Sequence, residues 1–201
     1  MIELPKKCYV NKFIPKKVFY EKVGVSSGIK EEFINLVDKI TWLYKLSQDT
    51  TGITKTKNVE EIQIFQIDIK YKKVPLSVMK TIAKGVQYKV LFVIKYNDEY
   101  CYAIRVEDFY LSDWNDDINF TFDAINLEVV YENIVKTILK EKDNNNQFQT
   151  IIKNSNEKLL LERMINQLKQ KIKTEKQFNR KTEMNIELNK LLKELEDLEN
   201  E

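Results

Sequence analysis

Asp68 and Lys70, in the stretch QIDIK, are the residues whose types and spacing come nearest to chemistry. Two apart on a strand, they leave the same face. An acid beside a lysine can hold a divalent cation through the carboxylate while the ammonium orients an attacking water or stabilises developing charge. Glu61 and Asp49 are the candidates for a second acid, but Glu61 falls on the opposite face of the strand from Asp68. The competing reading is a charge pair at the solvated end of a strand. Composition closes most other routes: none of the 201 residues is histidine, which removes the commonest general base, the usual zinc nitrogen ligand and every Ser-His or Cys-His nucleophile system. Catalysis would have to rest on carboxylates, lysine or tyrosine. Cys8 and Cys101 form no C-x-x-C pair, and no glycine-rich phosphate loop, dinucleotide fingerprint or zinc cluster is present.

The elements that must position the pair follow from periodicity and punctuation. EEIQIFQIDIK, residues 60–70, reads as a central strand with apolar residues on both faces. Pro75 and Gly85 frame a short helix carrying Leu76, Met79 and Ile82. YKVLFVIKY and EYCYAIRV then form a hairpin turning at Asn97 and Asp98. Metal-dependent nucleases of the PD-(D/E)xK type carry an acid-x-Lys pair on a central strand followed by a helix and another strand, and residues 60–96 have that order without the Pro-Asp half of the motif. Upstream, Pro15 can open a short helix, and Phe33, Leu36, Val37, Ile40, Leu43 and Tyr44 predict a helix from about Ile29 to Leu46. Downstream, Asp123 is placed as the N-cap of a helix whose face holds Leu127, Val130, Tyr131, Ile134 and Ile138. The fold class is α+β: a small mixed sheet with helices over residues 1–142, a hinge and helix start at 143–154, and a tail at 155–201.

Two smaller clusters read as surface. NKFIPKK, with Lys6, Lys7, Lys12, Lys16 and Lys17 nearby, is basic with aromatics between, and SDWNDD (112–117) gathers acids without the glycine and spacing of a calcium loop.

The tail is a long coiled-coil helix or an antiparallel helical hairpin. Leu161, Ile165, Leu168 and Ile172 are spaced 4-3-4, and Met184, Leu188, Leu191, Leu195 and Leu198 are spaced 4-3-4-3. Their stripes are roughly 120° out of phase on one straight helix, and the break falls in EKQFNRKTEMNIELNKL around Phe178. Charge divides there too. Seven basic residues and one acid lie between Arg163 and Lys181, and seven acids with two lysines between Glu183 and Glu201. Laid antiparallel, as a hairpin bent near 178–183 or as long helices of two subunits, the arms are complementary. Lys169, Lys171, Lys173, Lys176, Arg180 and Lys181 are candidate nucleic-acid contacts, a reading weakened by acids expected to compete for them.

Net charge is +2, so no global field steers the chain to nucleic acid or membrane. The longest apolar run, VLFVI, is far short of the ~20 residues a membrane helix needs. A cytoplasmic protein without a membrane partner is expected.

The order of NKFIPKKVFY, DKITWLYKLSQDTTGI, EEIQIFQIDIK, LFVIKY, VYENIV and EKQFNRKTEMNIELNKL resembles the bacterial domain of unknown function 4391 family over nearly the whole chain. The family brings no established activity. Its genes tend to neighbour DNA methyltransferases, DEAD-box helicases and restriction subunits, so the resemblance implies an accessory part of a restriction-like or antiphage defence system. Taken with the seams, this predicts a non-catalytic adaptor that uses Leu161 to Leu198 to bind such a subunit or a second copy of itself. It needs no cofactor. A divalent metal belongs only to the alternative in which Asp68, Lys70 and Glu61 form a nuclease site, and direct DNA binding is the remaining alternative.

Overall fold

The computed structural model describes residue 2, residues 4–141 and residues 147–200, and the chain forms two compact units, Met1–Lys142 and Asp143–Glu201. In the first unit, six strands make one mixed sheet in which spatial order equals chain order. They are β1 (Tyr9–Phe13), β2 (Val37–Ser47), β3 (Glu61–Ile69), β4 (Lys89–Tyr96), β5 (Glu99–Arg105) and β6 (Phe109–Leu111). All neighbours are antiparallel except β3 and β4. That central parallel pair requires a crossover, supplied by α4 (Leu76–Gly85) after Pro75.

Helices cover the sheet on both faces, which is why β3 and β4 are apolar almost throughout. α1 (Lys16–Val23), α2 (Ser27–Asn35) and α4 share one core with Phe65, Ile67 and Ile69 of β3 and with Val90, Phe92 and Ile94 of β4. The alternate positions Ile62, Ile64, Leu91, Val93, Tyr102 and Ile104 are also buried but lie outside that cluster. α5 (Leu127–Ile138) touches β3, β5 and β6 and buries Leu127, Val130, Tyr131 and Ile134. A four-residue helix, α3 (Gln48–Thr51), closes β2 with a capping box between Ser47 and Thr50.

Two expectations need correction. The helix expected over Ile29–Leu46 ends at Asn35, and Val37–Ser47 is the longest strand of the sheet. Ile40, Trp42, Tyr44 and Leu46 also fit a two-residue period, and a segment with Val, Ile, Thr, Trp and Tyr packs better on a pleated surface than in a helix. The N-cap of α5 is Asn126 rather than Asp123: its side-chain oxygen accepts from the backbone N–H of Val129 at 3.0 Å. At Asn97, φ is 52°, the left-handed conformation that a two-residue hairpin turn requires and that asparagine tolerates.

The second unit is a helical hairpin of α6 (Phe148–Thr174) and α7 (Phe178–Asn200). Of the expected hinge and helix start at 143–154, residues 143–146 lie outside the described residues, and the chain is helical from Phe148. Of the two expected forms of the tail the structure has the hairpin, broken at Glu175, Lys176 and Gln177, upstream of the 178–183 bend expected from the charge pattern. No glycine or proline makes this turn. Glu175 adopts an extended conformation and its Oε1 accepts from the backbone N–H of Gln177 at 2.8 Å, satisfying a donor near the start of α7. That bond holds the Glu175 carboxyl below the usual glutamate range. No helix among the described residues is long and apolar enough to cross a membrane.

Candidate functional site

Strand β3 carries Asp68 and Glu61 to opposite faces, as alternation requires. Asp68 sits between Lys39 of β2 and Lys95 of β4 in register, and its Oδ1 accepts from Gln66 Nε2 at 2.8 Å. Lys70, one residue past the strand, turns to α2, where its Nζ donates to the carbonyl of Ile34 at 2.8 Å. Lys16 Nζ similarly donates to the carbonyl of Val37 at 2.8 Å. The acid and the lysine of the QIDIK pair therefore have separate partners. Glu61 is buried on the far face, where its carboxylate meets Lys45 Nζ at 2.9 Å and accepts from Gln63 Nε2 at 2.7 Å. Those contacts hold the Lys45 ammonium above the ordinary lysine range. Asp49, on α3, is exposed. Two acids on opposite faces of one strand cannot share an ion, and no group of three carboxylate or thiol side chains suited to a metal occurs among the described residues.

Burial raises the Asp68 carboxyl above the usual aspartate range, against the opposing pull of Gln66, Lys95 and Lys39. A raised folded-state value means that the native state holds the proton more tightly than the unfolded chain. Its contribution to stability is present below the unfolded value, ~4, and is lost as pH rises through the folded one. Asp68→Asn is accordingly expected to raise the thermal midpoint at pH 7, with the gain shrinking toward pH 4. Melting curves at the two pH values measure it; a loss of stability at pH 7 contradicts the burial argument.

A cavity of about 500 Å³ opens at the start of β3 and β4 and the end of β5, lined by Lys57, Glu60, Glu61, Tyr88, Lys89 and Arg105 among others. Lys89 Nζ lies 4.9 Å from the centre of the Tyr131 ring, and the Tyr131 hydroxyl donates to the carbonyl of Arg105 at 2.6 Å. Sequence reasoning missed this cavity because its basic residues come from three separate segments whose spacing carries no signal. Two of the three acids of SDWNDD are paired at the surface: Lys140 Nζ reaches Asp113 at 2.6 Å and Asp116 at 3.1 Å, and Lys72 Nζ lies 5.2 Å from the Trp114 ring centre.

In the hairpin, the two leucine stripes meet each other. Ile165, Leu168 and Leu191 are buried in one cluster, with Leu161, Ile172, Met184, Leu188 and Leu195 packed against it. Leu198 is half-buried outside that cluster, and Phe178 at the turn is 81% exposed. The phase difference between the stripes is thus absorbed by the turn, which lets each helix rotate independently to face the other. Apolar residues that the spacing did not single out are left on the outside: Leu160 is 57% exposed and Ile186 67%, with Met164 and Leu192 also exposed.

Charge is distributed differently from expectation. With the turn at 175–177, the basic span 163–181 straddles it: its α6 part packs along the first half of the acidic span, as the cluster of Ile165 and Leu168 with Leu191 shows, while Arg180 and Lys181 return beside the end of α6. Lys169, Lys171, Lys173 and Lys176 converge with Arg180 and Lys181 at the turn end of the hairpin, and all six are exposed.

An α+β sheet domain followed by a helical hairpin is the class that these observations define. Residues 2–195 match the family model described as a domain of unknown function, DUF4391, and the chain belongs to that family, as the order of its motifs implied. No curated protein and no solved structure matches it.

Proposed function

We propose that the chain is a non-catalytic accessory subunit whose helical hairpin docks it onto a larger assembly. The observation that carries this reading is the narrowness of the hairpin core. Among the described residues, the cluster shared by the helices of 27 and 23 residues fully buries Ile165, Leu168 and Leu191, with the flanking seam residues partly buried, while Leu160, Met164, Ile186 and Leu192 stay exposed. Helical bundles generally reach a stable core with a third or fourth helix, and the hairpin reads as part of such a bundle. Its seam is of the antiparallel coiled-coil kind, closed within the chain, so a partner adds to its outer faces. A methyltransferase, helicase or restriction subunit is the partner class that gene neighbourhood in the family suggests, within a restriction-like or antiphage defence system.

Leu160→Asp and Ile186→Asp, both at exposed positions, are expected to leave the hairpin folded and to abolish recovery of the partner when the full chain is purified from its native host. Unchanged recovery by the double variant, or a wild-type chain that purifies alone as a monomer by light scattering, rejects the proposal.

A further inference from the structure

The break at 175–177 does more than reverse the chain: it sets the place where positive charge accumulates. Lys169, Lys171 and Lys173 end α6, Lys176 lies in the turn, and Arg180 and Lys181 begin α7. At ~1.5 Å per residue, all six lie within roughly 10 Å of the turn along the hairpin axis. None of them is engaged in an ion pair among the described residues. Of the acids expected to neutralise them, Glu183 lies within the same distance of the turn, and those from Glu187 onward run along α7 toward the other end of the hairpin. Glu175 is the acid within the turn itself; its carboxylate accepts from the backbone N–H of Gln177 and offsets part of the charge of Arg180. In the middle of these cations Phe178 presents its ring to solvent at 81% exposure.

Six like charges at one end of a folded unit repel one another, so the arrangement costs stability unless a polyanion relieves it. The exposed ring narrows the choice of polyanion. An anionic membrane surface would take up a broad amphipathic face, whereas the seam residues nearest the turn, Leu168, Ile172 and Met184, pack between the helices and leave Phe178 exposed at the turn itself. A single aromatic surrounded by Lys and Arg is instead the combination that binds a nucleic-acid strand, with cations on phosphates and the ring stacked on an unpaired base. We infer that the turn end of the hairpin is a contact site for single-stranded nucleic acid, with Lys171, Lys173, Lys176 and Arg180 on the phosphates and Phe178 as the stacking platform.

This goes beyond accessory docking, since an adaptor need not touch nucleic acid. It also stands independently, because its residues are distinct from Leu160 and Ile186. The probes are fluorescein-labelled (dT)20, a mixed-sequence duplex of twenty base pairs and phosphatidylserine vesicles, titrated with the full-length protein at several salt concentrations. Binding to (dT)20 is expected to weaken with salt. The triple variant Lys171→Gln, Lys173→Gln, Arg180→Gln is expected to weaken it at least tenfold and to lower the log–log salt slope by about 2, from roughly 0.7 per lost phosphate contact. Phe178→Ala is expected to lose about 5- to 150-fold on (dT)20, the range of one stacked base, and less on the duplex. Glu194→Gln with Glu196→Gln, on the acidic span, serves as a control expected to leave binding within twofold, and far-UV circular dichroism checks that every variant retains its helices. No oligonucleotide binding at 50 mM salt, binding that the triple variant retains, a preference for duplex, or binding to vesicles alone overturns the inference.

Discussion

Phe92→Ala is expected to cost the sheet domain about 3–5 kcal/mol, the range for emptying a fully buried phenylalanine site. The ring is completely buried where β4 meets β3 and β5, beside Phe65 and Ala103 in register, and its centre lies 5.9 Å from that of Phe109. Neighbours held in a hydrogen-bonded sheet cannot collapse far into the space, so both the transfer of the ring and the cavity count against stability. Typical domains have only about 5–15 kcal/mol in total. Urea unfolding followed by tryptophan fluorescence measures the loss selectively, because Trp42 and Trp114, the two tryptophans of the chain, both lie in this domain. A midpoint shift equivalent to less than about 1 kcal/mol would show that the sheet core relaxes around the site far more than its packing implies.

Leu168→Asp should have the complementary effect. Leu168 is one of three buried side chains in the cluster shared by the two helices, with Leu191 from the opposite helix. Burial of three such residues contributes on the order of 5–9 kcal/mol before conformational entropy is subtracted. Replacing one of them with a carboxylate removes about a third of that and puts a charge where only apolar groups can meet it. Helical circular dichroism is expected to fall sharply while the tryptophan transition stays in place. If the helical signal persists, the hairpin has support beyond its own seam; if fluorescence shifts with it, the two units are energetically coupled.

Legibility in the sequence followed the strength of local punctuation. β3, α4, β4 and β5 were readable because Pro75, Gly85 and Asn97 mark their limits and the strands between them are dense in β-branched residues. β2 was not, because Phe33, Leu36, Val37 and Ile40 satisfy a helical period just where the chain passes from helix to strand, and bulges in its pairing with β3 blur the two-residue alternation further. The edge strands β1 and β6 have five and three residues, too few to establish any period.

The leucine seams of the tail were legible as residues and illegible as geometry. Spacing identifies which side chains want apolar company, but a turn made by a glutamate accepting a backbone N–H has no glycine or proline to announce it. Moving the bend from 178–183 to 175–177 is a small shift in sequence with an electrostatic result: Arg180 and Lys181 fold back beside Lys171 and Lys173, so positive charge gathers at the turn while the seam still runs between the basic and acidic arms. The acid-x-Lys motif shows the converse. Asp68 and Lys70 are adjacent in sequence pattern, but Lys70 lies past the end of the strand, where the carbonyl of Ile34 at the end of α2 captures it.

The agreement between chain order and sheet order bears on how the protein is made. During synthesis each strand leaving the ribosome meets an edge that the preceding strand has just provided, so no strand waits for a later one to be inserted between it and its neighbour. The slower steps in such a sequence are the pairings that must close a long loop, β1 with β2 through α1 and α2, and β4 with β3 through α4. Until β4 joins it, β3 leaves unpaired one edge of a strand rich in isoleucine, the kind of edge that invites pairing with another chain.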